Sequence, residues 1–395
     1  MANLVKASYL QGLVCTACGC KKDANKPHRL CSCGKVLFAE YDLEKAKETL
    51  LPGKMDGRTF DLWRLFEILP VRDPKYRYTL GEGWTPLLEL KDLGQQLGLN
   101  LLLKDESRNP TGTFKSRGLC AAVSKALELG IHDFVIPTAG NAGAALAAYS
   151  ARANAKAHIY MPDNTPLLIQ KEVIAMGGEI TLVPGLISDA AKQAALAAKE
   201  QNLFDVSTLK EPYRVEGKKT MGFELAEQFN WTLPDVIIYP TGGGTGIVGM
   251  WKAFAELEVL GLIGAERPRI ISVQSSGCAP IVKAFQEGRE DANFWDNAQT
   301  IAAGLQIPSA IADYLILKAI RESKGIAISV DDSEIISSMQ NLARQEGMML
   351  SPEAAATLAA AEKVKRIGFV DSNESVVLFG TGLGLLYPEL WSSTQ

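Results

Sequence analysis

The chain has 395 residues, 47% of them hydrophobic and 22% charged, with a formal net charge of −4. That length buries a large core and suits two main lobes with additions, while the missing basic excess argues against nucleic acid or an anionic membrane as the main partner. No apolar run approaches membrane-spanning length and the N-terminus lacks the apolar core and cleavage site of a signal peptide, so the expected setting is the cytoplasm.

Of the seven cysteines, five fall within residues 15–33, and Cys120 and Cys278 stand alone. "CTACGC" and "CSCG" supply Cys15, Cys18, Cys31 and Cys33, a C-x-x-C followed by a C-x-C. Such clustering suits a metal site better than a disulfide framework. Four thiolates fit a tetrahedral structural zinc, which would fold a segment too short for its own core. The shortened second pair keeps another reading open: a degenerate ribbon of reduced cysteines packed on the main body, with Cys20 spare and His28 nearby as a substitute ligand. Residues 1–40 form this cysteine-rich segment. Residues 41–80 read as a connector with one helical stretch, "TFDLWRLFEIL", ended by Pro70.

From "NLLLKDE" onward, short apolar runs alternate with alanine-rich helical stretches: "DFVIPT" then "GNAGAALAAYSARA", "KAHIYMP" then "PLLIQKEVIAMG", "EITLVPG" then "SDAAKQAALAAKEQ". "DVIIYPT", "RIISVQSS" and "ESVVLFGTG" follow, each meeting glycine or small hydroxyl residues at its C-terminal end. Strand, small-residue turn and helix in repetition predict an α/β protein with open, mostly parallel sheets flanked by helices. In such sheets ligands bind where strands end and helices begin, so the informative residues are those after the apolar runs.

Four such places carry candidate chemistry. In "NPTGTFKSRG", Lys115 enters a helix behind a proline-glycine turn. It is either a solvated helix residue or an amine whose protonation the helix dipole and Arg117 disfavour, as Schiff-base chemistry needs. In "PTAGNAG", Thr138, Ala139, Gly140 and Asn141 open an alanine-rich helix. Their N–H groups suit a carboxylate and the amide a phenolate-like oxygen, although Asn141 taken alone is better read as a helix cap. In "PTGGGTG", Gly242, Gly243, Gly244, Thr245 and Gly246 make a phosphate cup at a helix entrance. The same glycines with Gly249 satisfy G-x-G-x-x-G, but the next strand ends in Gln274 and Ser275 instead of the acidic residue that dinucleotide binding requires. Thr381 follows the last strand. A lysine, a phosphate cup, a carboxylate nest with an amide and a small hydroxyl together match the needs of pyridoxal phosphate (PLP) acting on an amino acid.

The chain resembles the threonine synthases, within the tryptophan-synthase-β-like (fold type II) PLP enzymes. The matching stretches are "GEGWTPL", "NPTGTFKSRG", "PTAGNAGAALAAY", "MPDNTP", "EGKKTMGFELAEQ", "PTGGGTG", "SPEAAATLAA" and "TGLGLLYP", in family order from residue 81 to 388. The resemblance implies a large PLP-binding lobe from residues 81–125 and 232–395 and a small lobe from 126–231. It implies that Lys115 bonds the cofactor's aldehyde and then moves protons, that Gly242 to Gly246 hold its phosphate, and that Asn141 binds its ring oxygen. Thr381 faces its ring nitrogen, and Thr138, Ala139 and Gly140 take the substrate carboxylate. The implied reaction is β,γ-replacement on O-phospho-L-homoserine; dehydration of threonine or serine, or a cysteate-synthase-like replacement, is the alternative. The family is often homodimeric.

Departures fall near the substrate. Ser116 stands where the family often has an acid, and Leu383, Leu386 and Tyr387 where it often has a histidine, a lysine and an aspartate. The candidate cations for the substrate's phosphate are then Arg117 and Lys219, with Lys218 beside them. Glu353 reads as a helix first-turn acid.

Overall fold

Among the described residues, three sheets order the chain, and the apolar pattern of each strand reflects how many of its faces are covered. The computed structural model describes residues 7–391. The strands β1 (Leu10–Cys15), β2 (Lys21–Lys22) and β3 (Leu37–Tyr41) make a small antiparallel sheet in the order β2-β1-β3. The connector's expected helix is instead a 3-10 helix over Leu62–Ile68, interrupted at Leu65. All of its residues are buried, Arg64 and Glu67 included, and Glu67 takes a forked bond from Arg58 at 2.7 and 2.9 Å. A segment walled in on every side has no solvent-facing stripe to impose the 3.6-residue period, and packing sets its path.

The remaining strands are β4 (Leu87–Glu89), β5 (Asn100–Asp105), β6 (Asp133–Pro137), β7 (Lys156–Pro162), β8 (Glu179–Val183), β9 (Phe204–Asp205), β10 (Val236–Pro240), β11 (Arg269–Ser275), β12 (Ile326–Val330) and β13 (Ser375–Gly380). One sheet runs β8-β7-β6-β9, parallel throughout. The other runs β12-β11-β10-β13-β5-β4, parallel except for the antiparallel edge strand β4. This is the α/β architecture expected from the alternating pattern.

The described residues fall into two units. The first takes the chain through Trp84, Lys115–Glu224 and Gly249–Gly264; the second takes Thr85–Phe114, Leu225–Val248 and the chain from Ala265 onward. Two boundaries of these units lie at Lys115 and Glu224, whereas the lobes that the resemblance implies divide at 125 and 231. Alternation does not reveal that the helix Lys115–Glu128 packs on the helix Asn141–Arg152, which brings it into the first unit.

In the second unit, Val236, Ile238, Ile271, Val273, Val376 and Leu378 share one apolar cluster with Ala354, Ala355, Ala356, Ala359, Ala360 and Ala361 of the helix Pro352–Arg366. Methyl side chains let that helix lie close to the strands. Its start is capped by Ser351, whose hydroxyl accepts from the Ala354 N–H at 3.3 Å, as "SPE" suggests.

Candidate active site

In the second unit the register of β10 against β13 pairs Val236 with Val376 and Ile238 with Leu378. Their C-terminal ends are therefore neighbours, and each continues into candidate site residues: β10 into Thr241 to Gly246, β13 into Thr381. The packing of the glycine loop requires its glycines. A Cβ on Gly242 would lie 2.2 Å from the Gly304 carbonyl oxygen, and Gly244 holds φ +72° with a Cβ position 2.1 Å from the Ile316 side chain. The loop opens the helix Thr245–Val259, whose first N–H groups have no intrahelical acceptor. A backbone stripped of Cβ atoms at the positive end of a helix is what an anionic phosphate needs.

Glu353 anchors this floor. Its carboxylate accepts from the Gly304 N–H at 2.7 Å and from the Tyr387 hydroxyl at 3.2 Å. It is indeed a first-turn acid, as the sequence suggests, but the sequence does not reveal that it fixes the backbone against which Gly242 rests. Replacing Gly242 with alanine is expected to force Gly304 away at a cost of about 1–3 kcal/mol, as overpacking does. The PLP that the resemblance implies for this loop should then bind at least about tenfold more weakly, read by titrating the cofactor-free protein with PLP.

The segment preceding Lys115 is stitched to the residues around Thr381. Thr113 bridges Gly382, Phe114 N–H donates to the Thr381 carbonyl at 3.1 Å, and Leu383 N–H donates to the Gly112 carbonyl at 2.8 Å. Leu383 and Leu386 close over Gly112, their nearest carbons 3.2 and 3.5 Å from its Cβ position, and Tyr387 is buried on Glu353. The three departures from the family pattern are thus internal packing of this turn. Thr381 itself is buried, and Lys115 is the first residue of its helix and half-buried.

In the first unit, Thr138 opens the turn after β6. Its N–H donates to the Tyr160 carbonyl at 2.9 Å, and its hydroxyl accepts from the Gly140 N–H at 3.0 Å. One donor of the expected carboxylate nest is therefore spent within the turn. Asn141 is the first residue of its helix and half-buried, and Ala139 is also partly exposed.

The two cations expected to hold the substrate's phosphate are placed otherwise. Arg117 is fully buried and forks onto Glu224, with NH2 to Oε2 at 2.7 Å, and its NH1 also donates to the Thr220 hydroxyl at 2.9 Å. Lys219 is likewise fully buried, 2.8 Å from both Glu216 and Glu256, with its ammonium 4.0 Å above the Tyr41 ring centre. Burial pulls its ammonium below the ordinary lysine value, against the opposing pull of the two carboxylates. Carboxylates already neutralise both side chains, so the expectation that either grips a phosphate is withdrawn. Lys218 is buried too, its Cε 3.1 Å from the Cβ position of Gly118. These residues belong to a tight contact between the helices Lys115–Glu128 and Arg214–Gln228, where a Cβ on Gly217 would lie 2.0 Å from the Arg117 carbonyl oxygen.

Residues 78–382 match the family model described as pyridoxal-phosphate dependent enzyme. The chain belongs to that family, and PLP is its cofactor. Among curated proteins it is similar to threonine synthase of Methanocaldococcus jannaschii, with 36% identity over 95% of this chain and 93% of that protein. It is also similar to threonine synthase of Methanosarcina acetivorans, with 33% identity over 95% and 92%. Among solved structures, maize serine racemase superposes with a TM-score of 0.67 at 24% identity, covering 78% of this chain and 91% of that one. The processed isoform 2 of threonine deaminase from Solanum lycopersicum gives the same TM-score at 23% identity, covering 81% and 88%. The structural likenesses bear on the fold.

The residues present fit the cofactor. The loop at Gly242 and Gly244 has no room for side chains, the adjacent strand end supplies a buried hydroxyl at Thr381, and the segment 112–114 is bonded to the turn at Thr381 to Leu383.

Proposed function

We propose that this enzyme is a threonine synthase, converting O-phospho-L-homoserine and water to L-threonine and inorganic phosphate. The observation that carries the reading is the pair of neighbouring strand ends, bearing the glycine loop and Thr381, with the turn before Lys115 bonded to Thr381 and Gly382. The near full-length likeness to threonine synthases supports the choice of reaction.

Lys115 would carry the cofactor, the N–H groups of Gly242 to Gly246 would take its phosphate, Asn141 would donate to its ring oxygen, and Thr381 would face its ring nitrogen. A neutral hydroxyl partner favours an unprotonated ring nitrogen, in contrast to an aspartate. Bound PLP supplies an electron sink that makes hydrogens on the substrate carbons acidic. The turn at Thr138, Ala139 and Gly140 would bind the substrate carboxylate, with Gly140's own N–H already engaged. The Lys115 amine would remove the proton at Cα and then one at Cβ. The Cγ–O bond breaks, phosphate departs with both electrons, Cγ gains a proton, a water hydroxyl adds at Cβ as the water's other proton passes to the Lys115 amine, and that amine returns a proton to Cα to complete threonine. With Arg117 and Lys219 held by carboxylates, recognition of the phosphate ester falls to other groups.

No helix among the described residues is long and apolar enough to cross a membrane, and all seven cysteines are free thiols. A cytoplasmic homodimer is the setting proposed for the enzyme, since free thiols suit a reducing compartment; sedimentation of the PLP-loaded protein tests the dimer.

Substrate profiling tests the reaction. PLP-loaded enzyme should release phosphate from O-phospho-L-homoserine and leave O-phosphoserine and threonine largely unconverted. Keto acid from threonine or serine, with phosphohomoserine untouched, would replace this function by a dehydratase.

A further inference from the structure

The N-terminal segment holds chemistry that the amino-acid reaction does not use. Cys15 ends β1 and Cys18 follows in a turn closed by the Gly19 N–H on the Cys15 carbonyl at 3.1 Å and the Cys15 N–H on the Cys20 carbonyl at 3.0 Å. Cys31 and Cys33 sit on a second turn, closed by the Gly34 N–H on the Cys31 carbonyl at 2.8 Å and the Cys31 N–H on the Lys35 carbonyl at 2.9 Å. The C-x-C pair thus folds into a turn as compact as the C-x-x-C pair.

The four sulfurs converge. Cys15 and Cys33 are 3.4 Å apart, Cys18 and Cys31 are 3.7 Å apart, and all four Sγ atoms lie within 4.8 Å of one another. A disulfide holds its sulfurs about 2 Å apart, so these are four thiols. A metal bonded to four sulfurs at about 2.3 Å in a tetrahedron sets them about 3.8 Å from one another, within the range these four occupy. The two other candidate ligands point elsewhere: Cys20 Sγ contacts the Lys21 carbonyl at 3.8 Å, and His28 Nε2 pairs with the Asp23 carbonyl at 2.9 Å. All-sulfur coordination selects a soft or borderline metal over magnesium or calcium.

The same small sheet reaches the buried charges described above. Cys15 on β1 is in register with Leu37 at the start of β3. Further along β3, the Ala39 carbonyl accepts from Lys252 Nζ at 2.8 Å and the Tyr41 ring lies under Lys219. Lys252 also pairs with Glu256 at 3.2 Å and with Glu216, completing a cluster of two ammonium and two carboxylate groups. A sheet with strands of two, six and five residues has little core of its own to hold β3 there.

We propose that Cys15, Cys18, Cys31 and Cys33 bind one tetrahedral zinc ion as thiolates, releasing their four protons to solvent. The ion fixes β3 as the lid of the Lys219, Lys252, Glu216 and Glu256 cluster. This role is structural and does not rest on the proposed reaction.

The test uses PLP-loaded enzyme from zinc-supplemented cells. Elemental analysis should find about one zinc per chain, released to a chromogenic chelator as an organomercurial titrates the thiols. The cobalt-substituted protein should show the sulfur-to-metal charge transfer and intense visible bands of a tetrahedral thiolate site. Cys18→Ser with Cys33→Ser, the two exposed members, should lower zinc to below about a tenth of an equivalent. It should also lower the thermal unfolding temperature. Wild-type protein with less than about a tenth of a zinc per chain and no cobalt charge transfer would overturn the proposal. If the double variant does not fold, the wild-type stoichiometry and the cobalt spectrum decide alone. All these readings are independent of turnover, so a zinc-loaded protein that makes no threonine would sink the proposed function and leave the metal site standing.

Discussion

Lys115→Ala should lower kcat by at least about a thousandfold, because in the proposed function the amine both holds the cofactor and moves protons at two substrate carbons. The variant should still fold: Lys115 is half-buried at the start of its helix, and alanine is a better helix former than lysine. PLP should bind this variant without the absorption of a lysine-bonded cofactor, and borohydride should fix the cofactor to Lys115 in the wild-type protein only. Covalent fixation to another lysine, or activity within tenfold of wild type, would remove Lys115 from its assigned role.

Glu224→Ala should destabilise the protein by about 3–5 kcal/mol, the usual consequence of stranding one member of a buried ion pair. Arg117 and Glu224 are both fully buried, and a guanidinium does not escape its charge by releasing a proton. Desolvation on this scale outweighs the loss of the bond itself. Because Arg117 lies two residues from Lys115 on the same helix, activity should fall as well. Replacing both partners with apolar residues, Arg117→Met with Glu224→Leu, should recover most of the stability, since no orphan charge remains. Denaturant midpoints of the single and double variants check the cycle. A single variant as stable as wild type would show that the pair is not desolvated as described.

The contrast between what the sequence revealed and what it concealed follows from distance along the chain. Strands such as "DVIIYP" and "ESVVLFG" were legible because parallel strands covered on both faces read as unbroken apolar runs, and the turns after them exposed the glycine loop and Thr381. Charge pairing was not legible. Arg117 finds Glu224 107 positions away and Lys219 finds Glu256 37 positions away, and no local pattern distinguishes a buried, neutralised cation from one awaiting a phosphate. The glycines on the opposing faces of that contact, Gly118 and Gly217, were the available signal, since close helix contact requires missing side chains. Leu383, Leu386 and Tyr387 read as losses of function when compared with the family pattern. In the fold they cover Gly112 and brace Glu353, so their chemistry is packing. The connector misled for a related reason, because its apolar period mimics an amphipathic helix although all of Leu62–Ile68 is enclosed.

The central claim, replacement at Cβ with loss of the Cγ phosphate, is tested most directly by turnover of O-phospho-L-homoserine in oxygen-18 water. The account predicts threonine carrying the heavy isotope in its hydroxyl group, together with an equal amount of phosphate containing none, because the Cγ–O bond is the one that breaks. Homoserine with labelled phosphate, the outcome of simple ester hydrolysis, or 2-oxobutanoate in place of threonine would contradict it.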